Sequence, residues 1–119
     1  MNELYLMIDE KRYYALVKPG FAKDLAKRIY AYTTHNPEVR CVSHIKTQLK
    51  SKREVEKMFH EEVIQRGYEM VTATIDGKKT EWFKISYEDP FYAELCEKGL
   101  CAFKCGKRRK NYGELVIGG

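Results

Sequence analysis

Four residue types in this chain could together hydrolyse a phosphodiester bond. That reaction needs a metal ion to neutralise the phosphate, a base to activate water, and a cation to stabilise the charge of the transition state. One carboxylate, one tyrosine or histidine, and one arginine can supply these roles, and the chain offers Tyr5, Arg28, Glu56 and His60 as candidates. On a helix, Glu56 and His60 would lie one turn apart and face one site.

Each of these residues also has a purely structural interpretation. Arg28 could pair with Asp24 one helical turn away, and Glu56 could pair with Arg53, Lys57 or His60. His60 could be an ordinary surface histidine, and one strand tyrosine is unsurprising in a chain with 9 tyrosines. The functional interpretation therefore depends on the residues occurring together.

Length and composition predict one folded domain. The chain has 119 residues, of which 44% are apolar and 33% are charged, enough for one modest core. No apolar run approaches the roughly 20 residues of a membrane span. Met1-Asn2-Glu3 lacks the basic start of a signal peptide. We expect a soluble, cytoplasmic protein with no membrane partner.

Positive charge is concentrated in two parts of the chain. The net charge is +5, and residues 11–53 contain 11 Lys and Arg against Asp24 and Glu38. A second cluster lies between residues 104 and 110, and both clusters suit a polyanion. The alternative is surface charge that keeps the protein soluble. The candidate nucleic-acid contacts are Lys18, Lys23, Lys27, Lys107, Arg108, Arg109 and Lys110.

The cysteines are Cys41, Cys96, Cys101 and Cys105. An intracellular location disfavours disulfides. The spacing Cys96-x4-Cys101-x3-Cys105 is close to that of zinc ligands but matches none of the usual patterns. Free thiols are the favoured interpretation, and zinc at Cys96, Cys101 and Cys105 is the lesser alternative.

The first part of the chain predicts a hairpin followed by a helix. Glu3–Ile8 and Tyr13–Lys18 are rich in β-formers and flank a polar turn. Pro19 either ends the second strand or places it at a sheet edge. Apolar spacing predicts a helix after Gly20, with Arg28 near the boundary of its buried face.

The next part predicts a third strand at residues 38–46 and a helix at residues 51–66. Ser51 and Glu54 form a capping box at the start of that helix, and Gly67 is a natural cap at its end. Val55, Met58, Phe59 and Val63 form its buried stripe, with Glu56 and His60 at the edge of that stripe.

The rest of the chain predicts two strands, a short helix and a tail. The strands are residues 68–75 and 80–86, joined by a turn at Asp76-Gly77. The helix opens at Asp89-Pro90 and ends near Lys98. Together the elements predict an α+β domain at residues 1–98, with a small mixed or antiparallel sheet flanked by helices. Residues 99–119 are predicted to be a basic, cysteine-containing, partly mobile tail.

An ordered series of short motifs resembles one known family. The series is Leu4-Tyr5-Leu6, Val17-Lys18-Pro19-Gly20, Asp24-Leu25-x-x-Arg28-Ile29, Glu56-x-x-x-His60 and Glu81-Trp82-Phe83. Its order and spacing resemble the GIY-YIG nuclease superfamily, in particular its compact phage-associated branch. The resemblance covers roughly residues 3–86.

The resemblance implies a role for each residue. Tyr5 would help to activate water, and Lys18 could hold phosphate. Arg28 would stabilise the phosphorus centre, and Glu56 would bind Mg²⁺ or Mn²⁺. His60 would transfer a proton or contact the phosphate. The chain departs from the family pattern at Pro19 and lacks the glycine of the first motif.

Two functions follow as hypotheses. The first is a metal-dependent endonuclease that nicks or cleaves DNA, with RNA as an open alternative. Its specificity would need a homodimer, the basic tail or a protein partner. The second is a catalytically degenerate protein on the same fold that binds nucleic acid or a partner, such as a phage or viral inhibitor.

Overall fold

The computed structural model describes residues 2–75 and 78–105. These residues form strands β1 (Asn2–Glu10), β2 (Ala15–Ala22), β3 (Arg40–Thr47), β4 (Glu69–Ile75) and β5 (Lys78–Ile85), and helices α1 (Leu25–His35), α2 (Lys52–Gln65) and α3 (Pro90–Lys98). A 3₁₀ turn at Gly99–Ala102 follows α3. Within these residues, no helix is long and apolar enough to cross a membrane.

The strands form one antiparallel sheet in the order β3-β1-β2-β5-β4. Residues 3–10 of β1 pair with the whole of β2, as predicted for the opening hairpin. β4 and β5 form a second antiparallel pair. The two pairs join where Ala15–Val17 of β2 meets Phe83–Ile85 of β5. The predicted α+β class is therefore confirmed.

β2 continues past its predicted end at Lys18 and runs through Pro19 to Ala22. Pro19 lies opposite Leu6 of β1. On the other side of β2, pairing with β5 stops at Val17. Proline has no N–H to donate, so it is tolerated where β2 behaves as an edge strand. Of the two predicted possibilities for Pro19, the edge position is the correct one.

Alternating side chains of the sheet face two separate cores. On one face, Tyr5 and Met7 of β1 pack with Tyr32 of α1 and Trp82 of β5. On the opposite face, β1 contributes Leu4, Leu6 and Ile8, which join apolar residues of α2, α3 and the segment after α3. The sheet therefore separates α1 from α2.

Local sequence signals account for where the helices begin. Asp24 Oδ1 accepts a hydrogen bond from the Lys27 N–H at 3.1 Å, so α1 begins at Leu25. The predicted start directly after Gly20 is wrong, because β2 extends to Ala22. Ser51 Oγ caps α2 by accepting from the Glu54 N–H at 3.3 Å. Gly67 has a φ of +88°, as expected of a helix-ending glycine.

The chain remains packed beyond the predicted domain end at residue 98. Leu100, Phe103 and Cys105 are buried in the core beside α2. Glu62 of α2 accepts hydrogen bonds from the backbone N–H groups of Lys104 and Cys105, both at 2.8 Å. Packing therefore reaches Cys105. The predicted turn at residues 76–77 and the tail beyond residue 105 lie outside the described residues.

Candidate active site and basic clefts

A cleft opens where β2 loses its partner strand. Beyond Val17, no described strand pairs with β2 on its β5 side. There α1, on one face of the sheet, and α2, on the other, both reach the edge of β2. The resulting central cleft has a volume of about 470 Å³. Its polar lining consists of Lys18, Arg28, Tyr32, Lys52, Glu56, His60, Thr72, Thr80 and Glu81.

Lys18, Arg28, Glu56 and His60 therefore line the same cleft, although they come from three different elements. β2 supplies Lys18, α1 supplies Arg28, and α2 supplies both Glu56 and His60. A carboxylate, an imidazole and two cations that converge on one concave site are the parts needed to bind and cut a phosphodiester.

Tyr5 lies beneath the cleft rather than on its surface. Its side chain is fully buried, and it packs in the same core as Tyr32, which does line the cleft. The two hydroxyls are near enough to influence each other's pKa, yet neither meets hydrogen-bond geometry with a described group. Burial raises the pKa of both phenols, so both stay protonated at neutral pH.

Gly20 has a steric reason to be glycine. It lies directly opposite Tyr5 in the β1–β2 register. A Cβ atom at this position would overlap the Tyr5 ring at the carbon that carries the hydroxyl. The glycine of the Lys18-Pro19-Gly20 motif therefore makes room for the Tyr5 ring.

Lys18 projects from the unpaired edge of β2. Its Nζ donates a long hydrogen bond of 3.5 Å to the Glu81 carbonyl oxygen. Burial lowers the pKa of Lys18 below its ordinary value, although the nearby Glu56 carboxylate opposes this shift. The ammonium group is therefore a stronger acid than that of an exposed lysine, and it lies within the cleft.

Neither structural alternative for Arg28 or Glu56 is found among the described residues. Asp24 caps α1 and forms no ion pair with Arg28. Lys57 pairs instead with Glu61, at 3.8 Å. Within residues 2–75 and 78–105, the Glu56 carboxylate has no hydrogen bond or ion pair. Arg28 instead lies near the Tyr32 hydroxyl, whose pKa it lowers against the larger effect of burial.

His60 faces a carboxylate on the opposite wall of the cleft. Its Nδ1 lies 3.5 Å from Glu81 Oε2, and both side chains are about half exposed. The contact places a carboxylate beside the imidazole within the cleft. The sequence assigns Glu81 only to a structural strand, because no local signal shows that β5 crosses the cleft opposite α2.

Sequence reasoning also missed Tyr32 and Lys52. Tyr32 belongs to the same helical stripe as Arg28, and its position one turn from Arg28 was the available signal. Lys52 is the first residue of α2, directly after the Ser51 cap. It lines the central cleft and both neighbouring clefts.

Two further concavities adjoin the central cleft. The basic cleft, of about 570 Å³, is lined by Lys23, Lys27, Arg28, Lys50 and Lys52 together with Asp24 and nearby apolar residues. The outer shelf is lined by Lys52, Arg53, Glu56, Lys57, His60 and Glu81. The predicted nucleic-acid contacts Lys23 and Lys27 thus lie beside Arg28. Lys107, Arg108, Arg109 and Lys110 lie outside the described residues.

The cysteines do not form a metal centre in the described part of the chain. Cys96 is exposed, Cys101 is partly buried and Cys105 is buried. Among residues 2–75 and 78–105, no group of three or more His, Cys, Asp or Glu side chains is arranged to hold a metal ion. The geometry therefore lends no support to zinc at Cys96, Cys101 and Cys105.

The family model of the T5orf172 domain matches residues 4–92, a range that contains every residue lining the central cleft. No curated protein and no solved structure gives a significant match to the chain.

Proposed function

We propose that this chain, which belongs to the T5orf172 domain family, is a metal-dependent endonuclease of the GIY-YIG type that cuts DNA. The observation that carries the proposal is the convergence of Lys18, Arg28, Glu56 and His60 on one cleft. The positive charge around this cleft suits a polyanionic substrate.

A single-carboxylate metal site fits the residues of the cleft. Glu56 is partly buried and, among the described residues, has no competing ion pair. Mg²⁺ is commonly bound by one or two carboxylates, with water and substrate phosphate oxygens completing its shell. Glu56 would hold the ion, and the chemistry that Mg²⁺ or Mn²⁺ supplies when bound is neutralisation of the phosphate and leaving oxygen.

The protein side chains account for the remaining requirements of hydrolysis. A water oxygen forms a new bond to phosphorus while the bond from phosphorus to the departing sugar oxygen breaks. His60, which lies beside Glu81, accepts the proton of that water. The Lys18 ammonium donates a proton to the departing oxygen. The Arg28 guanidinium stabilises the negative charge that develops on the phosphate oxygens.

Tyr5 has a structural role in the proposed mechanism. Its hydroxyl is neutral and fully buried beneath Tyr32. It is therefore a positioning residue that fixes the Tyr32 wall of the cleft, rather than a phenolate base that contacts the attacking water.

The test is nicking of supercoiled plasmid by the purified protein with Mg²⁺, Mn²⁺ or EDTA. We expect metal-dependent nicking that Glu56→Gln and Arg28→Ala both reduce by at least about a hundredfold. Glu61→Gln and Arg40→Ala are matched controls, because Glu61 is exposed on α2 and Arg40 lies on β3 away from the cleft. Both controls should nick at the wild-type rate.

A second candidate is a DNA-binding module that has lost catalysis. It is favoured by the complete burial of Tyr5, which the family resemblance had placed at the attacking water. Salt-sensitive retention of plasmid on a gel, without cleavage by the folded protein under any metal condition, would support this candidate and refute the nuclease. Tight protein binding without DNA affinity would instead support a partner-binding protein.

A further inference from the structure

The basic cleft carries more positive charge than the chemistry at one phosphate requires. Five cationic side chains line it, and the one carboxylate among the lining residues is Asp24. Asp24 is already engaged as the cap of α1. Among the described residues, the four lysines that line the basic cleft form no ion pairs with carboxylates. Unneutralised cations within a concave surface attract and hold a polyanion.

The basic cleft is continuous with the central cleft. Arg28, Tyr32, Lys52 and Thr80 line both, so these four residues form the boundary between them. Arg28 and Lys52 are both cations, so positive charge continues from one cleft into the other.

We infer, resting on the proposed nuclease function, that the basic cleft is a subsite for the DNA backbone next to the phosphate that is cut. A strand would lie over Lys23 and Lys27, cross the boundary at Arg28 and Lys52, and reach Glu56 in the central cleft. Lys23 and Lys27 are therefore binding residues that hold the strand without taking part in chemistry.

The double variant Lys23→Ala/Lys27→Ala, which removes two positive charges from the basic cleft, tests this assignment. Both side chains are exposed, so their removal leaves the core intact. The matched control is Lys46→Ala/Lys98→Ala, which removes the same charge from exposed positions that line none of the three clefts. Thermal melts of all the proteins confirm that each is folded.

Affinity for a short fluorescent DNA duplex is measured by anisotropy over a series of KCl concentrations in EDTA, so that no cleavage occurs. Each lost phosphate contact lowers the slope of log affinity against log salt by about 0.9. The slope for Lys23→Ala/Lys27→Ala should therefore fall by close to two such increments, whereas Lys46→Ala/Lys98→Ala should keep the wild-type slope.

Single-turnover nicking at low DNA concentration then measures what the lost contacts cost the reaction. The cleft variant should nick more slowly than wild type there, and Lys46→Ala/Lys98→Ala should nick at the wild-type rate. Glu56→Gln should keep the wild-type salt slope without nicking. A wild-type salt slope in the cleft variant, or an equal loss in the control pair, overturns the subsite. A failure of every protein to nick refutes the nuclease proposal alone, since the slopes are measured without cleavage.

Discussion

At the residue scale, the contact between Tyr5 and Gly20 explains a motif position by packing alone. Tyr5 occupies the space that a Cβ atom at residue 20 would need. The family resemblance placed a tyrosine and a glycine in two separate motifs. The β1–β2 register makes them direct neighbours. The two motifs therefore constrain each other through one steric contact, which also supports the Tyr32 wall.

The variant Gly20→Ala should lose both stability and activity. The added methyl group must displace the Tyr5 ring, and overpacking of this kind costs about 1–3 kcal/mol. A displaced wall misplaces Arg28, and a shift on the order of 1 Å at a site can cost about a hundredfold in rate. Urea unfolding and plasmid nicking measure the two effects.

Gly67→Ala is the control for that experiment. Gly67 has a φ of +88°, but a methyl group added there would meet no atom within 4 Å, so its substitution strains only the backbone. Gly67→Ala should lower the free energy of unfolding by about 1–2 kcal/mol while leaving nicking per folded molecule unchanged. Equal losses of activity in both variants would mean that the Tyr5 contact has no special role.

At the element scale, α2 links the cleft to the C-terminal segment. Its edge carries Glu56 and His60, and its buried Glu62 holds the backbone of Lys104 and Cys105. Burial alone would raise the pKa of Glu62, but hydrogen bonds from Cys105, Lys104 and Arg66 outweigh it and hold the pKa below its ordinary value. The ionised carboxylate of Glu62 thus stabilises the packing of Lys104 and Cys105 against α2.

Glu62→Gln should be destabilising at neutral pH and less so in acid. Hydrogen bonds to a charged group contribute on the order of 1.5–3 kcal/mol. Because the folded pKa is lowered, this contribution is present above the unfolded carboxyl pKa of about 4.3 and disappears as pH falls through the lowered folded value. Urea unfolding at several pH values measures the difference from wild type.

The control is Glu61→Gln, at an exposed neighbouring position on the same helix. An exposed ion pair contributes about 0–1 kcal/mol, so this variant should follow the wild-type pH profile. If Glu62→Gln and Glu61→Gln gave the same profile, the backbone hydrogen bonds of Glu62 would not be the source of the stability.

Local sequence signals predicted the helices and strands better than they predicted the residues of the central cleft. The Ser51 and Asp89 caps are short-range chemistry, so the starts of α2 and α3 could be predicted from a few residues. The pairing of β2 with β5 joins residues that are far apart in the chain, and no local pattern encodes it. Glu81 of β5 was missed as a cleft residue for that reason.

At the scale of the whole molecule, a three-stranded unit of β3, β1 and β2 is joined to the β4–β5 pair by a short junction. Ala15–Val17 and Phe83–Ile85 make the only β2–β5 pairing among the described residues. Trp82 of β5 packs edge-to-face on Tyr32 of α1, with ring centroids 5.6 Å apart. This aromatic contact spans the same junction and borders the cleft.

Trp82 should therefore report on the integrity of the cleft. It is the one tryptophan of the chain and is only 3% exposed, so its emission should shift to longer wavelength on unfolding. We expect the urea midpoints of Trp82 fluorescence and of nicking to coincide, as for a cooperative domain. Loss of nicking well before the fluorescence change would show that the cleft opens independently of the junction.

The distance along the chain between β2 and β5 also has a consequence for synthesis. Chains are made from the N-terminus, and local hairpins form before long-range pairings. Arg28 and Glu56 leave the ribosome well before Thr80, Glu81 and Phe83, which complete the cleft around them. A nascent chain therefore carries these two residues while the wall formed by β5 is still missing, and the cleft is complete only after β5 has been translated.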